Sequence, residues 1–362
     1  MTLKNVRKVG WVLKALLLCG GEGTRLRPFT YTQPKVLLPL GHQPILFHIL
    51  DTLADTPIRE VAVIIGNNGQ PIMDLLAKRN PWGFNFSFIL QPEPLGLAHT
   101  VIIARETLGD DPFLMYLGDN ILDEPLRPLI NRFTAEKADA LVLLRRVKNP
   151  RSFGVAVIDD TRVIRVEEKP DQPQSNLALV GIYLFTPAIH QAVRTLKPSR
   201  RGELEITDGI AQLITAGKTV HYHLLSGWWK DTGTVTDLLE TNHYLLRKLP
   251  PTNEGQVKKS EVSGVLAVQK GSILKNCRVK GPVAIGTGCR ITGAEIGPYL
   301  SVGDGVKITN CRLSRGLILP GAQISGVNLA DSIVGERVQI SSRQKNDEPA
   351  SLLVGADAIL KL

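Results

Sequence analysis

Up to residue 248, short runs of consecutive apolar residues alternate with longer stretches in which apolar residues return every three or four positions. Val12–Cys19, Val61–Ile65, Phe84–Leu90, Phe113–Leu117 and Ala140–Leu144 have the length and near-continuous apolar character of strands covered on both faces. Between them, "PILFHILDTLAD" (44–55) opens with proline at a plausible first helical position, and "GLAHTVIIARETLG" (96–109) carries a helical spacing. Strands alternating with helices predict an α/β domain built on a Rossmann-like, mostly parallel sheet, with ligands beyond the carboxyl ends of its strands. "FGVAVIDDTRVIRVEEKP" (153–170) holds a D-D-T turn between two β-branched runs and reads as a hairpin.

The pattern changes at "LPPTNEGQV" (249–257). Beyond it, aliphatic residues recur every five or six positions, at Val262, Val268, Leu274, Val279, Ile285, Ile291, Ile296, Val302, Ile308 and Leu313, and glycines follow many of them. That period is the hexapeptide signature of a left-handed parallel β-helix, in which each short strand contributes one inward aliphatic. Tyr299 is the only aromatic after Leu249, as a narrow prism filled by Val, Ile and Leu requires. The expected organisation is therefore a catalytic domain over 1–248, a linker over 249–257, a β-helix over 258–341, and a polar segment with a C-terminal tail over 342–362. Ser341 to Pro349 is expected to be loose, with "SLLVGADAIL" closing the chain.

Composition adjusts this picture only slightly. With 362 residues, 43% of them hydrophobic and 21% charged, the chain has ordinary folded-protein composition and room for about two domains. Its net charge of +9 comes from scattered basic residues, with no arginine-rich block and no aromatic interleaving. Nucleic acid is thus not the expected partner, whereas a small polyanionic substrate accounts for part of the excess. No apolar run approaches the ~18 residues of a membrane span, and no signal-peptide pattern opens the chain, so the cytoplasm is the expected compartment. Cys19, Cys277, Cys289 and Cys311 form no C-x-x-C pair and are expected to be buried thiols in a reducing environment.

The candidate chemistry begins at "LLLCGGEGTRLRPFTYTQPKVLLPL" (16–40), where an apolar strand runs into Gly20, Gly21 and Gly23, followed by Arg25 and Lys35. A dinucleotide fingerprint needs a third glycine where Leu26 stands, and no G-K-S/T tripeptide directly follows this loop as a Walker loop requires. Backbone amides without a Cβ in the way can still approach an anion or a base edge. A tight strand-to-helix turn explains one glycine, but not the fixed positive charge placed beyond it.

This loop resembles the G-G-x-G-T-R-L…K signature of the sugar-1-phosphate nucleotidyltransferases, also called sugar-nucleotide pyrophosphorylases. "QPEPLGLAHTV", "YLGDN", "FGVAVID", "EEKP", "SNLALVGIY", "RGELEITD" and "GWWKDTG" continue the resemblance in order. The set is closest to the long-form glucose-1-phosphate thymidylyltransferases that carry a C-terminal β-helix. The resemblance implies attack by a hexose 1-phosphate oxygen on the α-phosphorus of a nucleoside triphosphate, dTTP before UTP or GTP, giving an NDP-sugar and pyrophosphate. It places Arg25 on the leaving β,γ-phosphates, Lys35 on the α-phosphate, and the amides of Gly20, Gly21 and Gly23 along the nucleotide. Asp119 of "YLGDN" and Asp231 of "WWKDTG" would hold Mg²⁺, a hard ion that takes few protein oxygens. Lys169 of "EEKP" would meet the sugar phosphate, and Glu168 the sugar hydroxyls. Gly154, Val180 and Gly181 would shape the hexose pocket. Gln91 and Gly96 would read the base, the glutamine offering donor and acceptor together. "GELEITD" (202–208) is a family marker without an assignable role, apart from opening a helix.

One departure from the resemblance matters. Thymidylyltransferases commonly read K-Q-L-L-P, with the glutamine on the base, where this chain has Val36 and no side-chain hydrogen bond. His48 and His99 lie in helical patterns and are expected to be packing residues. A second, acyl-transferring activity in the β-helix would need a histidine base, but all seven histidines lie between His42 and His243. A non-catalytic scaffold subunit would be expected to have lost Arg25, Lys35, Asp119, Lys169 or Asp231, and all are present. The β-helix is left with oligomerisation or control, and a homo-oligomer is expected.

Overall fold

The computed structural model describes residues 12–343 and 348–362. It divides into two compact units. One takes the described chain up to Gly21 together with Ile49–Trp229; the other takes Glu22–His48 and Lys230–Leu362.

The first unit is built on nine strands: β1 (Lys14–Leu18), β2 (Glu60–Ile65), β3 (Asn85–Leu90), β4 (Phe113–Leu117), β5 (Ala140–Arg146), β6 (Gly154–Ile158), β7 (Val163–Glu168), β8 (Leu177–Phe185) and β9 (Val220–Leu224). They form one sheet in the order β7-β6-β8-β4-β1-β2-β3, while β5 pairs with β8 and carries β9. Pairing is parallel through β3-β2-β1-β4 and antiparallel around β8. All nine residues of β8 are buried, which explains its unbroken apolar run "LALVGIYLF". Its register with β5 shifts between Leu179 and Tyr183, the stretch that contains Gly181 at φ +75°. The hairpin expected over 153–170 is present as β6 and β7.

The helices of seven or more described residues are α1 (Ile45–Ala54), α2 (Gln70–Lys78), α3 (Leu97–Ile103), α4 (Leu126–Glu136), α5 (Ala188–Arg194), α6 (Ile206–Thr215) and α7 (Val235–Arg247), the last in the second unit. Both stretches expected to be helical begin as helices, at Ile45 and Leu97. Ala98 and Val101 of α3, Ile189 and Val193 of α5, and Ile206, Ile210 and Leu213 of α6 join Leu16, Ile64, Met115, Val142 and Phe185 of the sheet in one apolar core.

In the second unit, three parallel sheets of seven, seven and five strands form the left-handed β-helix. On one face the strands Ile273–Lys275, Arg290–Thr292, Lys307–Thr309, Gln323–Ser325 and Gln339–Ser341 each bury only the middle residue, stacking Leu274, Ile291, Ile308, Ile324 and Ile340. A second face stacks Val279, Ile296, Leu313 and Leu329. At the corner between these faces Asn276, Gly293, Asn310 and Gly326 recur with positive φ, which lets the chain turn sharply. On the third face the outward Ala267 and Ala284 are also buried, packed against Leu246 and Leu249 at the end of α7. Thr234 and Asp237 form a reciprocal capping box that starts α7.

The β-helix extends past 258–341 at both ends. Its parallel pairing begins at Thr252 and Gln256, inside the expected linker, and ends with Leu353–Val354 and Ile359–Lys361, inside the expected tail. Gln344–Asp347, within the segment expected to be loose, lie outside the described residues. Cys19, Cys277, Cys289 and Cys311 are free and buried. Among the described residues no helix is long and apolar enough to cross a membrane.

Candidate active site

In the first unit, candidate residues gather where β1, β3, β4, β7 and β8 end or bend. β1 leads into Cys19, whose N–H donates to the Ile64 carbonyl at 2.9 Å. Burial, with the Asp119 charge adding, pushes the Cys19 thiol up to about 12, so it is an inert neutral group here. A Cβ on Gly20 would stand 3.2 Å from the Gly66 nitrogen, so the backbone leaves β1 through a gap that suits glycine. Alongside, Gly118 donates its N–H to the Leu18 carbonyl at 2.9 Å and delivers Asp119 just past β4. Asp119 is oriented by its neighbour: Asn120 Nδ2 donates to Asp119 Oδ1 at 2.8 Å, and Asn120 Oδ1 accepts from Trp229 Nε1 at 2.7 Å.

The sugar-phosphate candidates meet at the end of β7. Glu168 Oε2 accepts from the Thr207 hydroxyl at 3.2 Å, and its Oε1 lies 3.7 Å from Lys169 Nζ and 3.5 Å from Arg201. Arg201 also pairs with Glu203 at 2.8 Å and with the buried Glu205 at 3.2 Å. Burial, and then the Glu205 charge, pushes the Glu168 carboxyl above its ordinary range, against the pull of Lys169 and Arg201. Lys169 holds a left-handed φ of +39°, with its N–H donating to the Phe153 carbonyl at 3.0 Å. Gly154 makes room for this cluster, because a Cβ there would stand 2.6 Å from Thr207 Cγ2 and 3.1 Å from Glu168 Oε2. A Cβ on Gly181 would stand 2.5 Å from Leu117 Cδ1, so only glycine fits the bend in β8. Val180 is 1% exposed; its side chain belongs to the core, and it can serve a ligand only through its backbone.

The base-reading candidates follow β3. Gln91 donates its backbone N–H to the Ile65 carbonyl at 2.8 Å. Its side-chain Nε2 lies 3.0 Å from His99 Nδ1 and 3.3 Å from the Gly96 carbonyl oxygen. Burial holds the His99 ring below its ordinary range, with Glu93 pulling the other way. Gly96 has φ +102°, and a Cβ on it would stand 2.5 Å from the Leu204 carbonyl oxygen.

Leu204 gives "GELEITD" a role that the sequence left open. Its N–H donates to the Leu95 carbonyl at 2.8 Å and its carbonyl accepts from Ala98 N–H at 2.9 Å, pinning the loop that carries Gly96. The flanking Arg201, Glu205 and Thr207 brace Glu168. One segment thus supports both groups of candidates, and Arg201 and Thr207 join those identified from sequence.

In the second unit, Gly23 takes φ +63°, and its carbonyl accepts from the Thr30 hydroxyl at 2.8 Å and from Leu26 N–H at 2.9 Å. This closes the turn that presents Arg25 at the surface. A Cβ on Gly233 would stand 2.9 Å from an Arg25 guanidinium nitrogen and 3.2 Å from Asp231 Oδ1. Glycine at 233 therefore leaves space beside both. Lys35, only 7% exposed, brings Nζ to 3.8 Å from Asp231 Oδ1. Val36 is buried and offers no polar group. Among the described residues no group of three or more His, Cys, Asp or Glu side chains is arranged to hold a metal by itself.

Residues 14–248 match the nucleotidyl transferase family. The chain is 42% identical over 346 residues to a glucose-1-phosphate thymidylyltransferase of Streptomyces griseus, spanning 95% of this chain and 98% of the relative. It is 44% identical over 247 residues to the low-salt glycan biosynthesis nucleotidyltransferase of Haloferax volcanii, spanning 68% of this chain and 69% of that one. Among solved structures, a Bacillus anthracis chain described as a glucose-1-phosphate thymidylyltransferase, in complex with sucrose, matches with a TM-score of 0.62 at 35% identity. That match covers 67% of this chain and 98% of the other. A cation-bearing glycine loop, a carboxylate past β4 and matches of this length have one common source: the chain belongs to the nucleotidyl transferase family and is a nucleotidyltransferase.

Proposed function

We propose that the chain joins glucose 1-phosphate to dTTP, giving dTDP-glucose and pyrophosphate. A phosphate oxygen of the sugar attacks the α-phosphorus, and the bond from that phosphorus to the bridging oxygen breaks as pyrophosphate leaves. The attacking oxygen is already an anion, so no general base is needed. The difficulty is repulsion between two phosphate esters, and fixed positive charge is the remedy.

Arg25 meets the leaving β,γ-phosphates with its planar fork of donors, and Lys35 meets the α-phosphate. The amides of Gly20, Gly21 and Gly23 line the nucleotide, and Gln91 and Gly96 face the base. Lys169 holds the sugar phosphate with Glu168 on the sugar hydroxyls, while Gly154, Gly181 and the backbone of Val180 border the hexose. The observation that carries this reading is the approach of two cations to one carboxylate: Arg25 and Asp231 both border Gly233, and Lys35 Nζ lies 3.8 Å from Asp231 Oδ1.

Asp119 and Asp231 would each offer carboxylate oxygens of the kind Mg²⁺ takes, and Asn120 orients the Asp119 carboxylate. When bound, the ion would neutralise phosphate charge and help to orient the triphosphate. We place the reaction in the cytoplasm, with the protein self-associating through the β-helix.

The test is a matrix of dTTP, UTP, dCTP, GTP and ATP against several hexose and amino-sugar 1-phosphates, read by pyrophosphate release. Turnover with dTTP and glucose 1-phosphate as the preferred pair supports the proposal. Preference for another pair reassigns the substrates, and no turnover with any pair refutes it.

A further inference from the structure

Gln91 carries one carboxamide, and its surroundings settle which way that carboxamide points. Its end atom lies 3.3 Å from the Gly96 carbonyl oxygen and 3.0 Å from His99 Nδ1. A carbonyl oxygen can only accept, so the atom facing it must be the amide nitrogen. His99 Nδ1 is then the acceptor for the second N–H, and the proton of the neutral imidazole sits on Nε2. Gly96 cannot relax this arrangement, since Leu204 holds its loop on both sides and blocks any side chain there. Both N–H bonds of Gln91 are spent inside the chain. What remains for a ligand is Oε1, an acceptor and nothing else, in contrast to the donor-and-acceptor pair expected from the sequence.

We propose that His99 is a specificity-determining positioning residue: by taking one N–H of Gln91, it makes that glutamine an obligate acceptor and selects bases that present a ring N–H. Thymine, uracil and guanine carry such a donor beside a carbonyl. Cytosine and adenine present a ring nitrogen that accepts, and this would face Oε1 lone pair to lone pair. The inference rests on the reading that Gln91 faces the base. It also explains how a pyrimidine imide can be recognised although Val36 supplies no hydrogen bond.

The experiment measures kcat/KM for dTTP and dCTP with glucose 1-phosphate on wild type, His99→Leu, His99→Asn and Gln91→Leu. Both triphosphates are measured on each preparation, so partial unfolding cancels in their ratio. Leucine at 99 frees the carboxamide to turn, and the preference for dTTP should fall about 10- to 100-fold, chiefly through KM. Asparagine can place Oδ1 near the position of Nδ1 and should restore most of the preference. An unchanged ratio in His99→Leu, or an equal loss of kcat on both substrates, overturns the role of His99. If Gln91→Leu abolishes the preference while His99→Leu does not, the positioning inference fails and the base reading stands. If Gln91→Leu leaves the preference intact, the base reading fails and takes the inference with it.

Discussion

Replacing Asn242 by alanine should cost the second unit about 3 kcal/mol of stability. Asn242 lies on α7, is 0% exposed, and uses both ends of its carboxamide. Oδ1 accepts from the Gly41 N–H at 2.8 Å and from the Ser301 hydroxyl at 2.7 Å, and Nδ2 donates to the Gly316 carbonyl at 3.4 Å. One side chain thus ties the segment after Lys35 to α7 and to the β-helix face beneath. Alanine strands the buried Gly41 N–H and leaves the Ser301 hydroxyl to find another acceptor. Each stranded buried partner costs about 1–3 kcal/mol, and the lost amide adds a small cavity. At about 2–4 °C per kcal/mol for a unit of this size, the melting transition should fall by roughly 6–12 °C. Urea unfolding followed by circular dichroism, with m-values compared, measures the change without confusing it with denatured-state effects. Ser301→Ala, which leaves the Gly41 bond in place, should cost only about 1 kcal/mol. The double variant should be clearly less destabilised than the sum of the singles, because both delete the same bond. A loss below about 0.5 kcal/mol in Asn242→Ala, or strict additivity in the double variant, would refute the reasoning.

Four further outcomes are expected. Lys169→Ala should lower kcat by about 100-fold or more; a change confined to KM for the triphosphate would put Lys169 on the wrong substrate. Asp119→Ala and Asp231→Ala should each abolish most turnover with circular dichroism unchanged, and near-normal rates in either variant would remove it from the metal assignment. A Cβ on Gly355, in the closing coil, would stand 2.9 Å from Pro28 Cβ, so Gly355→Val should push the Arg25 loop and cut kcat/KM about 10-fold. Asp357→Asn, which loosens the same coil's pair with Arg337 at 2.7 Å, should stay near wild type, and equal losses in both variants would mean that coil stability alone is being read. Burial, aided by the Arg105 charge, holds His190 down at about 4. The unfolded imidazole takes its proton near about 6.5, so the unfolded state binds more protons in between. Stability should therefore fall as pH drops from about 6.5 towards about 4, and His190→Gln should flatten that fall in urea midpoints measured across the window.

The elements that could be read from the sequence are those whose signal is local. Buried strands and amphipathic helices each announce themselves within a dozen residues, and the hexapeptide period repeats one small unit until it cannot be missed. The loop of Gly20, Gly21 and Gly23 followed by Arg25 and Lys35 stands out in the sequence for the same reason. The sequence underestimated the β-helix at its ends. Thr252–Lys258 has little aliphatic period of its own, and the closing strands follow a polar interruption, so they are recognised only by pairing with the coil before them.

By itself, then, the sequence determined the two architectures and the family, and it singled out the residues proposed to carry charge to the phosphates. Only the tertiary structure decided what those residues can present. The segment Glu22–His48 joins the compact unit of the β-helix although nothing in its own residues says so. Arg201 reaches Glu168 across a separation no local pattern encodes. Gln91 became an acceptor because Gly96 and His99 took both of its N–H bonds. Periodicity is a property of neighbours along the chain, whereas the direction of a hydrogen bond depends on which distant groups fill the space around it.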